Sequence, residues 1–249
     1  MSFLNWKMPG DIRFKSPFDI FSQRKEPLVL FTSLLFLGFL SALIVDGLFF
    51  VPPPVVSILA VDVSESAINS EMFPASEICA LQRLSLLPED EQIDVWFADR
   101  SSLIGRQQVE RTHQRLGCHL PPSDEELEVN GLGKSPGTSL KSAVQLSHLE
   151  AQKRRSLASN LPIVVVIALH EVEPIPSEEV DVSSLIEALQ ELAEVADEIL
   201  LVGPKGELAR ELNRLSLEVK GVKFCAFRDL KQVAYCLEKT FEKGRERGH

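Results

Sequence analysis

The chain has 249 residues, 45% of them hydrophobic and 25% charged, with a formal net charge of -10 and a pI near 5.1. That length accommodates one sizeable core plus appendages, and the acidic balance excludes the basic footprint on which non-specific nucleic-acid binding depends. Four cysteines (Cys79, Cys118, Cys225 and Cys236) show no Cys-x-x-Cys spacing, so neither a zinc knuckle nor a redox dithiol is signalled; an even count permits disulfides in an oxidising compartment, while composition alone favours buried free thiols.

Residues 1–26 mix Pro, Asp, Lys, Arg and Phe without sustained periodicity and read as a short tail. From Leu28 to Val45 there is no charge at all. At 1.5 Å per residue these ~18 residues cover roughly 27 Å, and Gly47 to Val51 extend them, so residues 27–51 are expected to form a single transmembrane helix. A buried core helix and a cleaved signal peptide are the alternatives; no Ala-x-Ala cleavage site follows. Lys7, Arg13, Lys15, Arg24 and Lys25 precede the apolar run, whereas prolines and then acids follow it. The positive-inside bias therefore puts the amino terminus in the cytoplasm and the rest across the membrane, in a periplasmic, lumenal or extracellular space. Pro52 to Pro54 cannot continue a helix and form a stiff linker. Residues 55–249 then make the globular domain, with its first strand expected close to the bilayer.

Val55 to Val61 is an almost unbroken apolar run, read as a buried parallel strand that ends in Asp62. A helix follows within Ile68 to Leu87, where Pro74 breaks or starts it. Ile93 to Ala98 alternates as a second strand. The stretch from there to Leu120 is the least legible: Gln107 to Leu116 reads as a polar helix, and an antiparallel edge strand is not evident. Pro121 to Pro136 reads as a loop. A helix opens after Gly137-Thr138, with Leu140, Ala143, Val144 and Ala151 on its apolar side. Ile163 to Leu169 is continuous and β-branched, as expected of a central parallel strand. Beyond it, Ser184 and Glu187 form a capping box for a helix carrying Leu185, Leu189 and Leu192. A strand from Glu198 to Gly203, a helix through Leu208 and Leu212, a strand from Val222 to Phe227 and a last helix through Val233, Leu237 and Phe241 complete the pattern, with the charged end from Glu242 onward expected to fray into solvent. Such alternation gives an α/β fold: a mainly parallel central sheet with helices on both faces.

Chemistry concentrates in three loops at the carboxyl ends of strands. Asp62, Ser64 and Ser66 alternate after the first strand, Thr138 stands before the third helix, and His170-Glu171 follows the most apolar strand. Oxygen donors at such a place suit a hard cation. A lone Thr at a helix start is ordinarily an N-cap. Gly131-Leu-Gly-Lys-Ser135 imitates a phosphate cradle, but Glu128 stands where a Walker loop needs glycine and Pro136 where a dinucleotide fingerprint does, so no nucleotide is expected. No Gly-x-Ser-x-Gly elbow occurs, and Asp62-Val-Ser64 lacks the second aspartate of a phosphoryl-transfer motif. The chain is not expected to be an enzyme.

Asp62-x-Ser64-x-Ser66 followed by Gly137-Thr138 resembles the metal-ion-dependent adhesion site of von Willebrand factor A domains, and Phe97-Ala-Asp99 is similar to the end of their second strand. The resemblance spans Val55 to Lys243. It implies Mg²⁺ or Mn²⁺ held by Asp62, Ser64, Ser66 and Thr138, with an open position for an Asp or Glu side chain of a protein partner. In the family the strand equivalent to Ile163–Leu169 ends in Thr/Ser-Asp-Gly; here His170-Glu171 departs from that, and Glu171, or less readily His170, stands in. The expected function is a single-pass, membrane-anchored domain that binds a protein partner, in the manner of an assembly or maturation factor of a membrane complex. A scaffold with a degenerate metal site is the alternative, and a hydrolase using the same pocket a more remote one.

Overall fold

The computed structural model describes residues 52–69, 75–109, 120, 122–132, 138–170, 182–204 and 207–247. At its centre is β1 (Val56–Asp62), all seven residues of which are buried. A strand buried on both faces has no use for alternation, which is why its sequence is continuously apolar. It pairs in parallel with β2 (Glu91–Phe97) on one side and β4 (Ile163–Ala168) on the other. The six-stranded sheet has the order β3-β2-β1-β4-β5-β6, with β3 (Ser101–Gln108) antiparallel at one edge and β5 (Glu198–Pro204) and β6 (Val222–Phe227) parallel at the other side. Strand order reverses between β1 and β4. In open α/β sheets ligands bind at such a topological switch point.

Between strands the chain forms α1 (Glu65–Ile68), α2 (Ala75–Ser85), α3 (Asp124–Val129), α4 (Leu140–Leu157), α5 (Val182–Val195), α6 (Glu207–Glu218) and α7 (Leu230–Arg247). One face of the sheet, through Ile58, Ala60, Val165 and Ile167, packs on α4 and α5; the other, through Leu59, Val61, Val164 and Val166, packs on α2 and α7. Residues 52–249 form one compact unit around these two cores. Gly244 of α7 passes so close to the sheet that a Cβ there would lie 2.6 Å from Val164 Cγ2. Below the amino ends of the strands, the buried Asp90 carboxylate accepts hydrogen bonds from the Val55 (2.8 Å) and Leu87 (2.6 Å) amides and a bidentate pair from Arg245 (3.0 and 2.5 Å). Arg245 also donates to the Pro53 carbonyl at 2.8 Å, so the start of the domain and its last helix share one ion pair.

Several expectations need correction. An antiparallel edge strand is present, Ser101–Gln108; Gly105 and a register shift beside Asp94 disguise its alternation. Of the expected polar helix Gln107 to Leu116, the first two residues belong to this strand, and 110–116 lie outside the described residues. Within the expected loop, Asp124–Val129 is helical, started by the reciprocal capping box of Ser123 and Glu126. Helix α5 begins at Val182, which places Ser184 inside its first turn rather than at its cap. The carboxyl-terminal charged end does not fray: α7 continues to Arg247, with Gly244 and Arg245 buried. Nor are the described cysteines free thiols. Cys225 of β6 and Cys236 of α7 form a disulfide, and Cys79 of α2 is likewise disulfide-bonded. Cys225 and Cys236 are brought together by helix-on-sheet packing that spacing along the chain does not reveal. The tail and the apolar stretch 27–51, Cys118 and Glu171 lie outside the described residues. Among the described residues no helix is long and apolar enough to cross a membrane.

Candidate metal centre

Asp62 is the last residue of β1, where the ladder with β2 stops and the chain turns upward into α1. Its carboxylate folds back on its own loop: the Ser64 amide donates to Oδ1 at 2.9 Å. Ser64 is the N-cap of α1, its Oγ accepting from the Ala67 amide at 3.4 Å and lying 3.2 Å from Ser66 Oγ. Alternation over Asp62, Ser64 and Ser66 thus becomes a tight arc of three oxygen-bearing side chains, with Asp62 and Ser64 buried and Ser66 half-buried.

From 76 residues further along, Thr138 reaches the same carboxylate. Its Oγ1 donates to both Asp62 oxygens, at 3.3 Å each. The helix that follows is capped by the next residue instead: Ser139 is the N-cap of α4, accepting from the Ser142 amide at 3.2 Å. Capping therefore does not account for the Thr138 hydroxyl. The segment is fastened to the β2–β3 turn by the Ser139 amide on the Ala98 carbonyl (2.6 Å), Ser101 Oγ on the Ser142 carbonyl (3.0 Å) and Ser142 Oγ on Ser101 Oγ (2.9 Å). These serines position the Thr138 loop. Sequence reading missed that role, and the only available signal was the Ser-Ser pair after Asp99.

A third approach comes from β4, across the point where strand order reverses. The His170 amide donates to Asp62 Oδ2 at 3.2 Å. His170 thus meets the site through its backbone, whereas the sequence offered its imidazole. Glu171 is outside the described residues.

Burial pushes the Asp62 carboxyl above its ordinary value of 3.8, against the opposing pull of hydrogen bonds from Ser64, His170 and Thr138. Among the described residues no Lys or Arg is paired with it. A carboxylate withdrawn from water, ringed by hydroxyls and lacking a basic partner is a group that a divalent cation would neutralise. Hydroxyl and carboxylate oxygens are also the donor type that Mg²⁺ or Mn²⁺ prefers. The residues present fit such an ion. Among the described residues no three His, Cys, Asp or Glu side chains converge, so the described donors at this site are mostly hydroxyls.

No protein-family model and no curated protein matches the chain. Solved structures do. A von Willebrand factor type A protein from Catenulispora acidiphila superposes with a TM-score of 0.55 at 14% identity over 78% of this chain, which spans only 43% of that protein's length. BatB from Bacteroides thetaiotaomicron gives 0.54 at 13% identity, covering 77% of this chain and 99% of that one. The manganese-loaded TRAP protein of Plasmodium vivax gives 0.52 at 15% identity over 76% of this chain and 74% of its own. At such identities the likeness is one of fold, and the described domain has the fold of a von Willebrand factor A domain.

Proposed function

We propose that the chain is a membrane-anchored A-type domain that binds a protein partner through a divalent cation held at the Asp62 loop. The observation that carries this is the meeting of Thr138 Oγ1 with both oxygens of the buried Asp62, 3.3 Å away and 76 positions apart. Asp62 supplies the charge; Ser64, Ser66 and Thr138 supply neutral oxygens, and Glu171 is the nearest candidate in sequence for a second carboxylate. When bound, Mg²⁺ or Mn²⁺ would be left under-neutralised by this donor set and would attract an Asp or Glu side chain of the partner. The manganese-loaded state of the TRAP neighbour supports that choice of ion. The His170 amide and the Ser101–Ser142 contacts hold the loops in place before any ligand arrives.

Anchoring rests on the charge-free stretch within residues 27–51 and its basic flank. The disulfide-bonded Cys79, Cys225 and Cys236 support an oxidising compartment for the domain. The role proposed for such a tethered binding domain is the assembly or maturation of a membrane complex. One observation favours the scaffold alternative: hydrogen bonds from Ser64, Thr138 and His170 already reach both Asp62 oxygens.

Calorimetric titration of Mg²⁺ into the domain from Pro52 onward separates the two. Heat that disappears in Asp62→Ala supports the metal reading; a flat titration for the unaltered domain leaves the scaffold.

A further inference from the structure

Charge is divided unevenly between two neighbouring helices. On one face of the sheet α4 and α5 lie side by side, packed through Ala143, Val144, Leu189 and Leu192. The solvent side of α4 carries no acid: its one carboxylate, Glu150, is 1% exposed beneath Arg106 and Lys153, whereas Lys141, Gln145, Leu149 and Gln152 are exposed. On α5 the balance is reversed. It has no Lys or Arg, and Glu187, Glu191 and Glu194 are exposed along it. Arg154 and Arg155 are matched by Glu91 and Asp197. Lys141, together with the one charge left over when Arg106 and Lys153 share Glu150, gives the α4 side a surplus of two positive charges. The three glutamates of α5 have no cation paired with them among the described residues.

Adjacent stripes of opposite sign make a pattern that its own copy can match. Both helices run from the carboxyl ends of the strands to the amino ends, because α4 leads into β4 and α5 into β5, which is parallel to it. They end at about the same level, since Arg155 of α4 donates to the Val195 carbonyl of α5 at 2.8 Å. Lys153 and Glu194, each within two residues of that contact, therefore stand level. With helices kept aligned, two such faces can be laid together about a two-fold axis in two ways. An axis across the helices sets α4 on α4 and α5 on α5, like charge on like, which is disfavoured. An axis parallel to the helices sets α4 of each copy on α5 of the other, so that every stripe meets its opposite and each contact is made twice. Leu149, 47% exposed, supplies apolar surface midway along the patch.

We infer that the α4–α5 face associates with the same face of a second copy of this chain, about an axis parallel to the helices. A partner of one sign would be attracted by one helix and repelled by the other; the same face turned about that axis satisfies both. Area sets the strength. Each helix is ~10 Å wide and the 14 residues of α5 span ~21 Å, so the patch offers roughly 400 Å² per copy, small for a specific interface. The dimer is therefore weak, and its charges decide whether it forms. Such an axis preserves strand direction, so the Asp62 loops of both copies face the same way. The inference uses neither the metal reading nor the anchoring reading.

The test is sedimentation equilibrium of the compact domain Pro52–His249 up to submillimolar concentration, at low and high salt. Expected is a monomer–dimer equilibrium that moves toward monomer as salt rises. Glu187→Lys/Glu191→Lys/Glu194→Lys makes both stripes basic; Lys141→Glu/Gln145→Glu/Gln152→Glu makes both acidic and leaves the Glu150 cluster intact. Because each reversal counts twice, either variant alone is expected to self-associate more weakly by on the order of tenfold or more. Mixed in equal amounts, the two variants recover a dimer, since each helix again meets one of opposite sign. Both remain net acidic, so recovery reports the face rather than bulk attraction, and a folding defect could not produce it. The axis is read by oxidation: Leu149→Cys/Gln190→Cys crosslinks into dimers and Leu149→Cys alone does not. A domain that stays monomeric at low salt, leaving the face to another partner, would overturn the inference. So would variants that dimerise as tightly as the unaltered domain, a mixture that stays monomeric, or crosslinking through Leu149→Cys alone.

Discussion

Thr138→Val isolates the contact on which the candidate site depends. The substitution keeps the shape of the buried side chain and removes only the hydroxyl that donates to Asp62 Oδ1 and Oδ2. One hydrogen shared over two 3.3 Å legs is long for a charged bond, so the loss belongs at the low end of the usual range, about 1.5 kcal/mol. If Thr138 is also a ligand, cation affinity falls as well. At an ion concentration of 100 times Kd the unaltered domain gains ~2.7 kcal/mol, whereas a variant binding tenfold more weakly gains only ~1.4 kcal/mol. Urea denaturation with and without Mn²⁺ therefore shows a gap of about 1.5 kcal/mol without the ion, widening to ~3 kcal/mol with it. Thr138→Ser, which keeps the oxygen, retains most of the ion-dependent gain. A gap of the same size in both conditions would refute Thr138 as a ligand and leave it a purely structural donor.

The Asp62 carboxyl titrates above its ordinary 3.8 because burial disfavours its charge. The native state thus holds this proton to higher pH than the unfolded chain does, so the metal-free domain loses stability as pH rises from that value through the raised one. Cation affinity runs the other way, falling as pH drops through the same window; urea midpoints against pH, with and without Mn²⁺, check both, and parallel curves would contradict them. Gly244→Ala places a methyl 2.6 Å from Val164 Cγ2 and is expected to cost about 1–3 kcal/mol despite alanine's better helix propensity, whereas a neutral result would mean that α7 can step back. Arg245→Ala leaves Asp90 buried without its cation and should cost about 3–5 kcal/mol; loss below 1 kcal/mol in chemical denaturation would show that water reaches the carboxylate.

Fold class was legible because β1, β4 and β5 are buried on both faces, and that environment writes a continuous apolar run. Edge strand β3 was not, since one of its sides borders no further strand and its register shifts beside Asp94. Asp62, Ser64 and Ser66 were legible from spacing alone: they share one turn. Thr138 is joined to them only by the resemblance to the motifs of A domains, because nothing within Gly137-Thr138 itself encodes a contact 76 residues away. The serine at 139 was the overlooked clue, since a cap there frees its neighbour. Buried Arg245 was misjudged as fraying because its partner, Asp90, is 155 residues distant and a run of charges read locally looks solvated.

The central claim is that Asp62, Ser64, Ser66 and Thr138 together hold one divalent cation. Anomalous scattering from crystals of the Pro52–His249 domain grown with Mn²⁺ tests it most directly. A single strong peak among those four side chains, absent from Asp62→Ala crystals, is the predicted result; no peak there, or one that survives the substitution, would contradict it.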